Sequence, residues 1–120
     1  MIQLLLHLFG DFIVQNDWMA LNKKKCSPKG YLACAIHCIT YALPFLLVTS
    51  WFGVALICAT HFLLDKYQVI TWFLAIRNNA EGLENFGYKD ERPKLISVWL
   101  NIFTDNSFHL IMNYIIIRLL

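Results

Sequence analysis

Residues 4–18 read LLLHLFGDFIVQNDW, an apolar segment interrupted by a histidine, an aspartate and a glutamine. Side chains four residues apart lie on one face of an α-helix, so His7, Asp11 and Gln15 form a single polar stripe on an otherwise apolar helix. An isolated carboxylate is costly in apolar surroundings, and such groups normally face the interior of a bundle and pair with one another. The stretch therefore predicts a bundle of helices around a polar interior.

The composition of the whole chain indicates a membrane protein. Its 120 residues suffice for one domain. Hydrophobic residues make up 58% of the chain and charged residues 15%, whereas a soluble domain carries about 25% charged residues. The net charge of +2 is small and the basic residues are concentrated in NKKKCSPK. This distribution predicts no nucleic-acid partner.

Four apolar segments have roughly the length needed to cross a bilayer. They cover residues 2–21, 31–51, 53–76 and 95–119, with a polar loop over residues 77–94. We predict an all-α fold in a single domain, residues 1–120: a four-helix transmembrane bundle with a polar His/Asp core. Pro44 is expected to kink the second helix. The alternative is a compact soluble bundle with a very apolar surface, or one that docks on a membrane.

The basic residues also predict an orientation. Lysines and arginines concentrate in the first and third connections, and short connections rich in such residues stay on the cytoplasmic side. We therefore expect a multi-pass protein of the bacterial inner membrane with both termini in the periplasm. Membrane lipid is the expected surrounding, and a second copy of the chain or a host membrane protein is a possible partner.

Three histidine–aspartate pairs have the spacing of one helical turn. They are His7 with Asp11, His61 with Asp65, and Asp105 with His109. Chance predicts about 0.3 such pairs when matches are counted. The remaining histidine, His37, lies in the second segment, so each predicted helix contributes one. At about 1.5 Å per residue, these groups lie at a similar depth, which we place about halfway into the outer leaflet.

Imidazole and carboxylate groups together are typical ligands of divalent zinc, manganese or iron. The predicted metal ligands are His7, Asp11, His37, His61, Asp65, Asp105 and His109. This set exceeds the ligands that one zinc needs, so we expect one or two ions. Gln15, Lys66 and Asn106 are expected to support the ligands from outside.

A metal site of this kind predicts hydrolysis, because a bound divalent ion turns water into a nucleophile near neutral pH. The expected substrate is a phosphoester, either a lipid head group or a small phosphorylated molecule entering from the periplasmic side. Asp11, Asp65 and Asp105 are the predicted catalytic carboxylates. Two alternatives stay open: a non-enzymatic phage or bacterial factor that modulates a host membrane protein, its polar cluster serving as a structural seam, and an ion or proton pathway.

The stretches HLFGDFIVQNDWMALNK, HCITYALPF, HFLLDKYQ and DNSFH resemble successive blocks of the domain of unknown function 3307 family, small bacterial and phage membrane proteins. The first block is the most specific, and the matching residues are His7, Asp11, Phe12, Gln15, Trp18, Met19, Ala20 and Lys23. Asn106 stands where the family pattern has glutamine, and Gln68 where it has lysine. The resemblance implies the membrane topology and the polar cluster. A more distant resemblance to membrane-bound metal-dependent hydrolases implies the reaction.

Overall fold

The computed structural model describes residues 1–120 and contains six α-helices and no strands. The helices are α1 (Ile2–Leu8), α2 (Asp17–Asn22), α3 (Pro28–Ala42), α4 (Trp51–Lys66), α5 (Val69–Asn78) and α6 (Lys94–Leu119). A π-helical segment, Phe9–Val14, continues α1, and a 3₁₀ segment, Leu43–Leu47, continues α3. The predicted all-α class is confirmed.

Serine side chains begin the two central helices. Ser27 Oγ accepts the backbone N–H of Gly30 at 3.1 Å, and Ser50 Oγ accepts that of Gly53 at 3.2 Å. Each bond satisfies one of the N–H groups that the first turn of a helix leaves free. The α-helical part of α3 ends at Ala42 and a 3₁₀ segment follows, as expected from a proline at position 44, which cannot donate a helical hydrogen bond.

The first predicted segment is two helices, so a continuous helix over residues 2–21 is wrong. The π-helical segment ends at Val14, and Gln15 has an extended backbone with ψ of 122°. Asn16 then begins α2, and its Oδ1 accepts the backbone N–H of Met19 at 2.9 Å. Asparagine is among the preferred residues at this position because its side chain replaces the missing backbone acceptor.

The third predicted segment is also two helices, so a continuous helix over residues 53–76 is wrong. Gln68 adopts a left-handed backbone with φ of 50°, which separates α4 from α5. Lys66 lies two residues before the break. Its buried amine donates to the carbonyl oxygens of Lys23, at 3.2 Å, and Lys25. These bonds attach the end of α4 to the connection before α3, and the chain turns immediately afterwards.

The interior of the bundle contains many polar side chains, and much of its surface is apolar. All four histidines are buried, together with Asp65 and Lys66. Large apolar side chains are exposed instead, among them Leu47, Trp51 and Ile76. One apolar cluster packs at one end of α3 and α4, and its buried members are Leu6, Tyr41, Ala42, Phe45, Val54, Ile57 and Ile116. His37 and His61 lie one helical turn beyond this cluster, next to its members Tyr41 and Ile57.

One helical stretch, Pro28–Leu47, is both long and apolar enough to cross a membrane. Ile2–Val14 and Val69–Asn78 are apolar but shorter. The longest helix, α6, has 26 residues but does not meet both conditions. Four spanning helices therefore remain a prediction.

Candidate metal centre

Two histidines and two aspartates meet inside the bundle. Asp11 lies on the π-helical segment, His37 on α3, and His61 and Asp65 on α4. The Nε2 atoms of the two histidines are 3.0 Å apart. Asp11 Oδ1 lies 3.3 Å from Nε2 of His37 and 3.4 Å from Nε2 of His61. On Asp65, Oδ2 lies 3.4 Å and 3.5 Å from the same two nitrogen atoms.

These distances fit a tetrahedral metal ion. Zinc binds nitrogen and oxygen ligands at about 2.0–2.1 Å, which separates neighbouring ligand atoms by about 3.3 Å. The triangle formed by His37, His61 and Asp11 has sides of 3.0, 3.3 and 3.4 Å. Asp65 forms a similar triangle with the two histidines, with sides of 3.0, 3.4 and 3.5 Å. Either carboxylate thus completes one three-ligand face, the number of protein ligands that catalytic zinc sites use.

Several polar atoms of these residues have no hydrogen-bond partner in the protein. They are Nδ1 of His37, Nδ1 of His61 and Oδ1 of Asp11, all buried. Buried polar atoms are normally hydrogen-bonded, and exceptions call for a specific explanation such as a catalytic role or an ion. Of these three atoms only Oδ1 of Asp11 belongs to the ligand triangle, because the two histidines contribute Nε2. Four further buried atoms without a partner lie on Gln15, Thr49, Asn85 and Ser97.

A second group of three potential ligands shares two residues with the first. His61, Asp65 and His109 present their ligand atoms within 4.8 Å of one another. Nε2 of His109 lies 3.1 Å from Asp65 Oδ1 and 3.5 Å from Asp105 Oδ2. The Asp105 side chain is 33% exposed, so it contacts His109 at the edge of the site. One carboxylate, that of Asp65, therefore links both groups.

Lys23 enters this site from the connection between α2 and α3. Its amine donates a 2.6 Å hydrogen bond to Asp65 Oδ2. Burial disfavours the charge on the amine, but the attraction of the Asp65 carboxylate outweighs it, so the pKa of Lys23 lies above its usual range. Lys66, expected beside the ligands, contacts no aspartate; it fixes the backbone of Lys23 and lies over the ring of Tyr31, 4.1 Å from its centroid.

The site therefore lies near the end of the bundle that carries the basic connection. Asp65 is one residue from the end of α4 and pairs with Lys23 of that connection. Its depth in a membrane, expected about halfway into the outer leaflet, stays a prediction.

His7 belongs to a hydrogen-bonded network beside the site. Its Nε2 lies 2.6 Å from Oδ1 of Asn106, and its Nδ1 lies 2.7 Å from the hydroxyl of Tyr41. Since an amide oxygen only accepts, His7 donates from Nε2 and accepts the Tyr41 hydroxyl at Nδ1. Asn113 in turn donates to that hydroxyl at 2.6 Å. Both ring nitrogens of His7 are satisfied within the protein, and the carboxylate of Asp11 is 3.6 Å from Nδ1.

Sequence reasoning missed Tyr41, Asn113 and Lys23. The first two had a detectable signal: Tyr41 follows His37 by four residues, and Asn113 follows His109 by four, so each lies on the face of a histidine already selected. Lys23 matches the first block of the family pattern, but a lysine within a basic run was interpreted as an orientation signal.

A cavity of about 240 Å³ adjoins the centre. The carboxylates of Asp11, Asp65 and Asp105 line it, together with the amines of Lys23 and Lys24. Amide side chains complete much of the polar wall, and they include Gln15, Gln68, Asn101 and Asn106. The Oε1 atom of Gln15 is buried and has no hydrogen-bond partner. The cavity gives a small polar molecule a place next to the two aspartates.

The structure thus brings the seven predicted ligands into one neighbourhood with unequal positions. His37, His61, Asp11 and Asp65 form the centre, His109 and Asp105 flank it, and His7 belongs to the adjoining network. Of the supporting residues, Gln15 lines the cavity, Asn106 holds His7, and Lys66 holds the basic connection. Their roles in metal binding and catalysis remain predictions.

Comparison with known proteins gives one match. The family described as "Protein of unknown function (DUF3307)" matches residues 1–119. No curated protein and no solved structure matches the chain.

Proposed function

The chain belongs to the DUF3307 family, and we propose that it is a membrane-embedded protein that binds a divalent zinc, manganese or iron ion between its helices and hydrolyses a phosphoester beside that ion. The proposed ligands are His37 and His61 with one of the two central carboxylates. The observation that carries the proposal is the pair of ligand triangles, whose sides of 3.0–3.5 Å match the ligand spacing around a tetrahedral ion, about 3.3 Å.

The two carboxylates have different surroundings, and these suggest different roles. Asp65 is paired with Lys23 and bonded to His109, which favours its anionic form and suits a fixed ligand. The ion-pair contacts of Asp11 are all with histidines, and its side chain lines the cavity. It is therefore the group best placed to accept a proton from an attacking water. The divalent ion supplies the Lewis acid that activates this water.

A multi-pass arrangement is supported by the distribution of polar and apolar side chains. Buried histidine, aspartate and lysine inside an apolar surface are the reverse of a soluble domain, and ionisable groups within membranes face the bundle interior in this way. In the proposed arrangement α1 with its π-helical segment, α3, α4 and α6 cross the inner membrane, the basic connections face the cytoplasm, and both termini face the periplasm. Exposed Trp72 and Phe73 on α5 suit the lipid interface.

Metal content tests the proposal directly. Wild-type protein, His61→Gln and His7→Gln are purified in the same detergent and analysed by inductively coupled plasma mass spectrometry after washing with a weak chelator. His7 is the matched control, because it is an equally buried histidine whose nitrogens are already satisfied. We expect one or two equivalents of metal in wild type and His7→Gln and a loss in His61→Gln.

Wild-type protein without metal, even after incubation with zinc or manganese, would contradict the proposal. The polar cluster would then be a hydrogen-bonded seam between helices, as expected of a non-enzymatic membrane factor. If metal is present, release of phosphate from a panel of phosphoesters by wild type, with loss of turnover in Asp11→Asn, tests the hydrolytic step.

A further inference from the structure

The cavity beside the metal centre is lined by Lys23, whose contact with Asp65 uses one of its three N–H donors. We infer that Lys23 binds the phosphate group of the ligand in this cavity, and that the ligand is a small molecule or head group bearing a phosphate. The inference rests on the proposed function, because it names the substrate class of the same site. Lys23 is then a substrate-binding residue.

The position of the Lys23 amine favours this role. The side chain lines the cavity and is 14% exposed. An ammonium group has three N–H donors, and the only hydrogen bond of this amine is to Asp65. Two donors are therefore free to point into the cavity. Lys66 holds the backbone carbonyl of Lys23, so the basic connection that carries the amine is fixed in place before a ligand arrives.

The charges of the lining make anion binding depend on the metal. The lining includes three aspartates, Asp11, Asp65 and Asp105, and two lysines, Lys23 and Lys24. The lining by itself has an excess of negative charge and repels an anion. A divalent ion at the two histidines reverses the sign, and an ion and a lysine on either side of a phosphate stabilise its charge together. Phosphate should therefore bind to the metal-loaded protein and not to the stripped protein.

The size and the remaining polar groups limit the ligand. At about 240 Å³, the cavity is smaller than the 300–1,000 Å³ or so of sites for drug-sized ligands. It therefore suits a phosphate with a short polar group. The unpartnered Oε1 of Gln15 accepts a hydrogen bond and so matches a hydroxyl of such a group. A lipid head group and a small soluble phosphoester share this chemistry.

Binding of inorganic phosphate tests the inference. Wild type, Lys23→Gln, Lys23→Arg and the control Lys29→Gln are reconstituted in phosphatidylcholine nanodiscs and loaded with metal. Metal content and phosphate affinity are measured on the same samples. Lys29 is exposed and is not among the lining residues, so its variant removes the same charge away from the site. We expect Lys23→Gln to weaken phosphate binding about tenfold or more, the loss typical of a charge-assisted hydrogen bond, whereas Lys29→Gln binds like wild type and Lys23→Arg keeps most of the affinity.

Equal affinity in Lys23→Gln and wild type, or no phosphate binding by metal-loaded wild type, overturns the inference and leaves the metal site standing. Absence of metal from wild type contradicts the proposed function instead. If Lys23→Gln does not fold, chemical acetylation of the lysine amines of wild type replaces this variant. We then expect phosphate to protect Lys23 from acetylation and to leave Lys29 reactive. Equal acetylation of Lys23 with and without phosphate overturns the inference. If phosphatidic acid in the nanodisc competes with phosphate, the ligand is a lipid head group. If it does not compete, the ligand is a small soluble molecule.

Discussion

The helix pair formed by α3 and α4 has two ends built on different principles. At one end, Phe45 and Ile57 are fully buried in an apolar cluster. Towards the other end, His37, His61 and Asp65 are also buried, and their ionisable groups lie within 3.5 Å of one another. Packing of apolar side chains explains the first end. Burial of ionisable groups is costly at the second, and a bound cation would stabilise the two carboxylates that meet there.

The comparison separates two kinds of residue that burial alone does not distinguish. Residues of the apolar end should affect stability and leave metal binding intact. Residues of the polar end should affect metal binding, and their effect on stability should depend on whether metal is present. Free energies of unfolding are measured by titrating the detergent-solubilised protein with a denaturing detergent.

The largest expected loss of stability comes from the apolar end. Phe45→Ala removes a fully buried ring and should lower the free energy of unfolding by about 3–5 kcal/mol, through lost contacts and the cavity left behind. The amount of metal bound per folded chain should not change. Leu47→Ala is the control, because Leu47 is 74% exposed. A loss of metal in folded Phe45→Ala would show that the two ends are not independent.

Metal should stabilise the polar end. Zinc at 100 times its dissociation constant should raise the free energy of unfolding of wild type by about 2.7 kcal/mol, because it binds the folded state and not the unfolded one. Asp65→Asn should abolish this increase, since it removes the carboxylate shared by both groups of potential ligands. An equal increase in the variant would show that Asp65 is not a metal ligand.

Tyr41 lies at the boundary between the two ends. It belongs to the apolar cluster, and its hydroxyl bonds to His7 and Asn113. Tyr41→Phe should cost about 1–3 kcal/mol, because it leaves buried partners unsatisfied. Metal affinity should change little, since neither partner is a proposed ligand. A metal affinity reduced tenfold or more would extend the centre to the network around His7.

The smallest expected effect sharpens the comparison within the apolar end. Ile57→Val removes one methylene group from a fully buried side chain and should cost about 0.5–1.5 kcal/mol. The loss should be the same with and without zinc. A loss that depends on zinc would mean that packing around Ile57 positions His61, one helical turn further along α4.

The sequence predicted the helical class and the contents of the centre from local spacing. Histidine and aspartate four residues apart on apolar helices must turn inward, and His61 with Asp65 does so. The helix breaks were harder to predict. Asparagine is a residue type that begins helices, although no break was predicted at Asn16. Gln68 is neither glycine nor proline, and its left-handed backbone stands beside a long-range attachment, that of Lys66 to the basic connection.

The role of Lys23 also depends on a long-range contact. Its hydrogen bond to Asp65 spans 42 positions in the chain, so spacing along one helix does not predict it. His7, which has Asp11 one helical turn away, and His37, which has no aspartate at that spacing, were both predicted to be metal ligands. The positions of Asn106 and Tyr41 show that the ring nitrogens of His7 bond to protein partners, whereas His37 faces the centre.

The π-helical segment Phe9–Val14 makes the number of residues in the first helix part of the site. A π-helix fits more residues into each turn than an α-helix, and such segments are frequent at functional sites. Deleting one residue within 12–14 would let ordinary α-helical bonding run through the segment and would rotate Asp11 relative to His37, although every side chain of the centre would still be present. The geometry of the centre thus depends on the number of residues in this helix as much as on the chemistry of its side chains.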